Sequence, residues 1–519
     1  MYFWAWGLIK LSLRNNVLAS YVAQLYTSLT GIIVFPLYMK YMGAEAYGLI
    51  GFFMMLQTFF TLLDIGLTPT IARETARYHG GAISALYYRQ LFRALSLIFF
   101  AIAILGSAGF GFFSKIIASK WLNTSELPLV DVLLCIKIMG VSVAFRWAGG
   151  LYRGVISGAE SLVWLSSFNV IFSSLRFFGV FFIMYQFGFV PIVFFVYQFF
   201  IALVEIFVLW CKGRGLVRDI NDFATPIGWS FKPVKEVLGF SLIVAVTSSI
   251  GVLLTQTDKL VLSGVLSLAE YGHFALAIMV ASGIMIISNP ISSALMPRMV
   301  RLHSEGKSYE FFKIYRDFTR LVSILAGSLS IAIAFCSKQL LYAWIGDQAL
   351  AADVAPILSL YAIGNGFFVI SAFAYYLQYA KGDLRYHFIG NVVMLFFLVP
   401  IIIWTARHYG SIGAGYTWLL MNALFLFFWV GCIHSKIAPG IHLSWLFKSV
   451  LIVYVPALTL AFFISWLNFD VEGRLQNAMY FSVNVFLILV FSLCCARKER
   501  IWVGGKVRWL VRLILKKMK

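Results

Sequence analysis

The sequence predicts an all-α polytopic membrane protein of about 14 transmembrane helices: two six-helix lobes in parallel repeat plus two C-terminal helices. Three observations predict it. Of 519 residues, 61% are hydrophobic and only 12% charged, a composition that a soluble chain of this size cannot cover with polar surface. The apolar residues fall in continuous runs of about 20, the length of helix that crosses a hydrocarbon core. Continuity rather than alternation excludes a barrel, so helices must satisfy the backbone polar groups inside lipid. The third observation is a weak internal repeat at a constant offset.

The expected spans are 16–38, 44–67, 91–113, 130–152, 163–186, 190–211, 234–263, 271–296, 319–341, 352–379, 386–406, 411–433, 448–468 and 477–496. An even count places both termini on one side, and charge chooses the side. The connections after the second, sixth and eighth spans are basic, with Arg73/Arg77/Arg89/Arg93, Lys212/Arg214/Arg218 and Arg298/Arg301/Lys307/Lys313. The alternate connections are nearly neutral. The positive-inside rule therefore predicts cytoplasmic termini. The net charge of +20 reads as topology, and no nucleic-acid partner is expected.

The N-terminal stretch MYFWAWGLIKLSLRNN reads as an interfacial helix ahead of an uncleaved first span. At the other end, 497–519 holds nine Lys and Arg residues with Trp502, Trp509 and Leu510, and reads as a basic amphipathic tail on anionic headgroups. The six cysteines lie in or beside apolar spans without CxxC spacing, so neither a disulfide framework nor a metal site is expected. No cofactor is expected.

The repeat aligns Tyr47-Gly48 with Tyr271-Gly272, an offset of 224. The same offset relates Arg77 and His79 to Arg301 and His303, Arg89 to Lys313, Gly158 to Gly382 and Tyr185 to Tyr409. Equivalents lie six spans apart, so the halves share one orientation, as in parallel-repeat transporters. The expected domains are an N-terminal lobe at 1–222, a C-terminal lobe at 223–445, and the last two spans with the basic tail at 446–519. No connection exceeds roughly 25 residues, which leaves no room for a soluble domain.

One block carries the most specific motifs. Pro36-Leu37-Tyr38 with Gly43 is followed by Tyr47-Gly48, by Leu63-Asp64-Ile65-Gly66-Leu67, and by a basic end around Arg73. Two further motifs are Arg153-Gly154 with Gly158, and Gln256-Thr257-Asp258-Lys259. Together they resemble the polysaccharide transporter family of the multidrug/oligosaccharidyl-lipid/polysaccharide (MOP) flippase superfamily, and within it the O-antigen flippase (Wzx) type. The resemblance implies a flippase of the bacterial cytoplasmic (inner) membrane. Its substrate would be an undecaprenyl-diphosphate-linked oligosaccharide, an O-antigen-like repeat unit. Movement would run from the cytoplasmic to the periplasmic leaflet by alternating access, with ion coupling left open. It implies as partners the lipid-linked oligosaccharide, membrane lipids, and polysaccharide polymerase and chain-length regulator proteins.

Competing readings are a lipid II flippase, a MATE-like small-molecule exporter and, in a different class, an integral-membrane polysaccharide polymerase. Short, neutral outer connections argue against the polymerase. HExxH, Walker and GxSxG motifs are missing, so the chain is read as a transporter and not an enzyme.

Moving a glycan diphosphate across lipid needs a hydrated, cationic path, because each hydroxyl and phosphate oxygen is costly to strip of water. Arg176, mid-way through the fifth span, is the leading substrate-binding candidate. A central arginine costs at least ~2.5–3.5 kcal/mol in insertion, so it needs a water-filled cavity or a carboxylate partner. Arg146, Lys137 and Lys259 are further substrate-binding candidates. The nine-residue spacing of Lys137 and Arg146 puts them about 180° apart on a helix, which argues against one shared site. Asp258, Asp64 and Glu205 are candidates for ion coupling, with a helix-cap role as the alternative for Asp64. Arg73, Arg77, Arg153 and Arg301 read as topology determinants or as a cytoplasmic entrance. Tyr185, Gln186, Tyr197, Gln198, Tyr375, Tyr376 and Gln378 are open to sugar contact or to packing.

Overall fold

Long apolar runs coil into helices because i→i−4 pairing satisfies backbone N–H and C=O groups where water does not reach them. A computed structural model of the chain describes residues 2–218, 228–467 and 471–496, and no strand occurs among them. The expected tail at 497–519 lies outside the described residues.

Among the described residues, eleven helical stretches are long and apolar enough to cross a membrane. One of these, Arg385–Ile437, holds two expected spans. At its Gly410 the backbone leaves helical geometry (φ 58°, ψ −141°). Expected spans 130–152 and 234–263 lie in the helices Leu129–Gly158 and Lys232–Val265. Lys137, Arg146 and Arg153 lie within the first of these helices, and Asp258 and Lys259 toward the end of the second. The chain is thus a polytopic, all-α membrane protein.

The residues pack as two compact units that divide between Gly272 and His273. In the first unit, α1 (Tyr2–Met42) leads into α2 (Ala44–Phe60) and the short α3 (Leu67–His79). The reversal between α2 and α3 is built by Ile65 and Gly66, both left-handed (φ 46° and 68°). The Asp64 carboxylate fixes it by accepting from Thr68 N (3.1 Å) and Thr68 Oγ1 (2.7 Å). Then follow α4 (Ala85–Ile116), α5 (Leu129–Gly158) and α6 (Leu162–Ser174). Next come α7 (Val180–Phe187), α8 (Pro191–Arg218), α9 (Lys232–Val265) and the start of α10 (Leu268–Ser304).

The repeated motifs mark close helix approaches. A Cβ on Gly158 would strike the Ala72 carbonyl, and one on Gly154 would lie 2.8 Å from Thr68 O, so α3 lies directly against α5. Gly48 sits against the Leu268 carbonyl, and a Cβ on Gly272 would lie 2.5 Å from Ala44 O. The two copies of Tyr-Gly therefore pack each glycine against the other copy's helix, the small-residue contact through which membrane helices approach. Tyr47 and Tyr271 are both buried beside them.

In the second unit, α11 (Ser308–Val322) continues through a π turn into α12 (Ser328–Phe335) and α13 (Ser337–Ile345). The helix α14 (Gln348–Lys381) starts at Asp347, whose carboxylate caps Ala349 N and Leu350 N. Then come α15 (Arg385–Leu424), α16 (Val430–Ile437), α17 (His442–Trp445), α18 (Ile452–Trp466) and α19 (Arg474–Cys495). Buried between α11, α16 and α17, Tyr315 Oη meets His434 Nε2 at 2.7 Å, and His434 Nδ1 meets His442 Nδ1 at 3.1 Å.

Candidate functional site

Three arginines inside the first unit converge on Glu205. This carboxylate sits on α8 and is buried. Its Oε1 accepts from Arg153 Nη2 at 2.6 Å and lies 3.9 Å from Arg176 Nη2, while Oε2 lies 3.8 Å from Arg146 Nε. Helical spacing explains the convergence. Arg146 and Arg153 are seven residues apart on α5, as are Gln198 and Glu205 on α8, and seven residues return a side chain to nearly the same face.

Three guanidinium groups thus share one carboxylate, a local excess of two positive charges. Neutral acceptors take part of it. Arg146 donates to Gln57 Oε1 (3.0 Å) and Gln198 Oε1 (2.5 Å), and Arg153 to Asn169 Oδ1 (2.7 Å). Phe53 and Phe168 face Arg146 and Arg153 at 5.3 and 5.2 Å, within cation–π range. Arg146 Nε and Glu205 Oε2 are buried without a hydrogen-bond partner.

The backbone at Arg176 is unusual. After α6 the chain makes a π turn, Leu175–Gly179, which disrupts the regular carbonyl pairing. Three successive carbonyls there accept from other helices: Leu175 O from Tyr197 Oη (2.9 Å), Arg176 O from Gln198 Nε2 (3.0 Å) and Phe177 O from Tyr38 Oη (2.7 Å). Tyr197 and Gln198, open to sugar contact from the sequence, hold this turn. Gln378 is likewise engaged, donating to Ala374 O and accepting from His387 N.

Beside the cluster lies a cavity of about 450 Å³ between α1 and α6. Arg153 and Arg176 line it, together with Gln24 and Thr27 of α1 and Asn169 and Ser173 of α6. The polar residues Ser166, Asn169, Ser173 and Arg176 follow one another at three- and four-residue steps and so form one stripe. The wall offers hydroxyl and amide groups next to cations.

The remaining candidates lie elsewhere. Lys137 is exposed, on the face of α5 opposite Arg146. Lys259 Nζ donates to Thr255 O (3.1 Å) and Gln256 Oε1 (2.9 Å), and the buried Asp258 accepts from Lys259 N. Asp64 is bonded to Thr68 at the α2–α3 reversal. Arg73 and Arg77 flank the buried Glu74, at 3.8 and 2.9 Å. Arg301 pairs with Glu305 at 2.6 Å. Hydrogen bonds from Lys307 and Arg301 hold the Glu305 carboxyl down at about 2.

Two arrangements are not legible in the sequence. Arg153, expected as a topology determinant or at the cytoplasmic entrance, pairs with Glu205, and its seven-residue spacing from Arg146 is the sequence signal for that. Glu45 is the second. It is 2% exposed, and its carboxylate accepts four hydrogen bonds from Ser125 N, Ser125 Oγ, Glu126 N and Leu127 N, at 2.7–3.0 Å. The same loop reaches α9 and α10 through Asn123 Nδ2 to Leu266 O, Leu268 N to Asn123 O, and Trp121 Nε1 to Ser263 Oγ.

The family described as "Polysaccharide biosynthesis protein" matches residues 13–303. A curated relative, "Uncharacterized membrane protein EpsK" of Bacillus subtilis (strain 168), is 22% identical over 367 residues, 69% of each chain. Among solved structures, the lipid II flippase MurJ in an inward closed conformation aligns with TM-score 0.72 at 14% identity, covering 93% of this chain and 99% of that one. An inward-facing multidrug resistance MATE family transporter of the MOP superfamily aligns with TM-score 0.61 at 10% identity, covering 80% and 96%. At these identities the structural likeness establishes the fold alone.

Proposed function

We propose, from the premise that the chain belongs to the polysaccharide biosynthesis protein family, that it is a flippase for a polyprenyl-diphosphate-linked oligosaccharide. The observation that carries this is the arginine cluster: three guanidinium groups around one carboxylate, opening on a polar cavity. Guanidinium forks match phosphate oxygens, and charge-assisted hydrogen bonds replace the water that a diphosphate loses. Arg146, Arg153 and Arg176 receive the diphosphate, and Glu205 holds them at a common site before it arrives. The amides and hydroxyls of α1 and α6 receive the first sugar. The prenyl chain stays in lipid.

In this reading Glu205 serves as counter-ion rather than proton carrier, because its charge is committed to the arginines. Asp258 is the remaining ion-coupling candidate. Arg73, Arg77 and Arg301 gather the anionic headgroup at the cytoplasmic entrance. The lobes are proposed as 1–222 and 223–445, with 446–519 outside the repeat, and both termini in the cytoplasm of a bacterium whose inner membrane holds the protein. The substrate is proposed as an O-antigen-like repeat unit, handed to a polymerase and its chain-length regulator. No catalytic step is assigned.

The experiment is complementation of surface polysaccharide in cells lacking the chain. Arg176→Ala abolishes the polysaccharide, and Arg176→Lys retains part of it. Full activity of the alanine variant, expressed at the same level, would exclude Arg176 from the path.

A further inference from the structure

Lys137 lies eight residues into α5, about 12 Å along the axis from Leu129. It points away from the arginine cluster. A shallow groove of about 340 Å³ runs beside it, lined by Lys137, Ile138, Val141, Val196, Phe199 and Phe200. The groove continues the outward stripe of α8, where Phe200, Val204 and Phe207 are 57%, 48% and 61% exposed. In a membrane protein, an exposed stripe of this composition faces acyl chains. Lys137 is therefore a cation on the lipid-facing surface, and no acidic side chain among the described residues lies within ion-pair distance of it.

A lysine so placed needs an anion or water. A lysine's four-carbon stem can carry the ammonium from an apolar surface toward the membrane interface. The anion that the bilayer supplies there is a lipid phosphate. The groove is otherwise apolar, with a width set by two phenylalanines, and it accommodates a hydrocarbon chain. We propose that Lys137 and this groove form a binding site for an anionic phospholipid, its phosphate on the ammonium and one acyl chain along Val141, Val196, Phe199 and Phe200. A bilayer phospholipid fits better than the transported lipid. The groove is on the opposite face of α5 from the arginines, and no hydroxyl or amide side chain lines it to receive a sugar.

The test is native mass spectrometry of the full chain in detergent, titrated with phosphatidylglycerol or phosphatidylcholine. The unmodified protein retains phosphatidylglycerol preferentially. Lys137→Gln weakens that binding about fivefold, the effect of one basic residue near an anionic lipid surface. Lys137→Arg keeps it, and Phe200→Ala weakens both lipids. Absence of a headgroup preference in the unmodified protein overturns the proposal without any variant. Unchanged binding by Lys137→Gln also overturns it. Displacement of phosphatidylglycerol from this site by undecaprenyl diphosphate would reassign the groove to the transported lipid and overturn the phospholipid assignment.

Discussion

Replacing Glu205 by alanine leaves Arg146, Arg153 and Arg176 without their shared counter-charge. The carboxylate is 4% exposed and the three arginine side chains are 10%, 27% and 22% exposed, so water replaces little of what is lost. Removing one partner of a buried ion pair costs about 3–5 kcal/mol. For a unit of this size that corresponds to a fall in melting temperature of at least roughly 6 °C. The geometry also ranks the partners. Arg153 makes a hydrogen bond at 2.6 Å, and its coupling to Glu205 in a double-mutant cycle is about 1.5–3 kcal/mol, the range for charged hydrogen bonds. Arg146 and Arg176 stand at 3.8 and 3.9 Å without a hydrogen bond to the carboxylate, and each couples by about 1 kcal/mol. Glu205→Gln falls between wild type and alanine. Combining Glu205→Ala with Arg146→Met recovers part of the loss, because it removes an uncompensated cation. Scanning fluorimetry of purified protein in nanodiscs measures all of these. If Glu205→Ala melts with the wild type, or if Arg153 shows no coupling, Glu205 is not the counter-ion and the cluster is misread.

Three further outcomes are expected. Glu45→Ala strips four donors in the 125–127 loop of their acceptor, so amide exchange in a 122–128 peptide accelerates about tenfold; unchanged exchange would mean that the loop is held by other contacts. Gly48→Val and Gly272→Val each force α2 and the start of α10 apart and lower the melting temperature, overpacking of this kind costing about 1–3 kcal/mol; wild-type melting of both would refute the close approach. Glu305 titrates near 2, below the ordinary 4.5, because Lys307 and Arg301 bond its ionised form. Its pairing is therefore complete above about 4.5 and is lost as pH falls through about 2. Carboxyl NMR of labelled protein reads this directly, and the double variant Arg301→Gln/Lys307→Gln returns the midpoint toward 4.5.

Span positions were legible because lipid imposes a length and an apolarity that each run must meet. The runs of α5 and α9, which also carry charged residues, were legible in the same way. The two Tyr-Gly pairs were legible, but the close approach of their glycines, each seated on the opposite helix, needed coordinates. At the site, Arg176 stood out because a mid-span arginine demands a partner. Its partner did not, since nothing local in α8 says which helix Glu205 faces. The pairing of Arg153 with Glu205 was not legible, because a basic residue near a span end fits the topology rule equally well. Tyr197 and Gln198 bind backbone carbonyls that only a π turn leaves available, and no residue pattern in LRFFG announced that turn. Glu45 was invisible because its four donors lie about eighty residues away in sequence.

The most direct test of the central claim is binding of a polyprenyl diphosphate to the purified protein, compared with Arg146→Gln/Arg176→Gln and with the uncharged polyprenol. Each arginine contributes a charged hydrogen bond of about 1.5–3 kcal/mol, so the double variant binds the diphosphate at least about a hundredfold more weakly. Polyprenol binding is weak and equal in both proteins. Equal affinity of wild type and double variant for the diphosphate, or polyprenol binding as tight as the diphosphate, would contradict an arginine cluster built to hold that group.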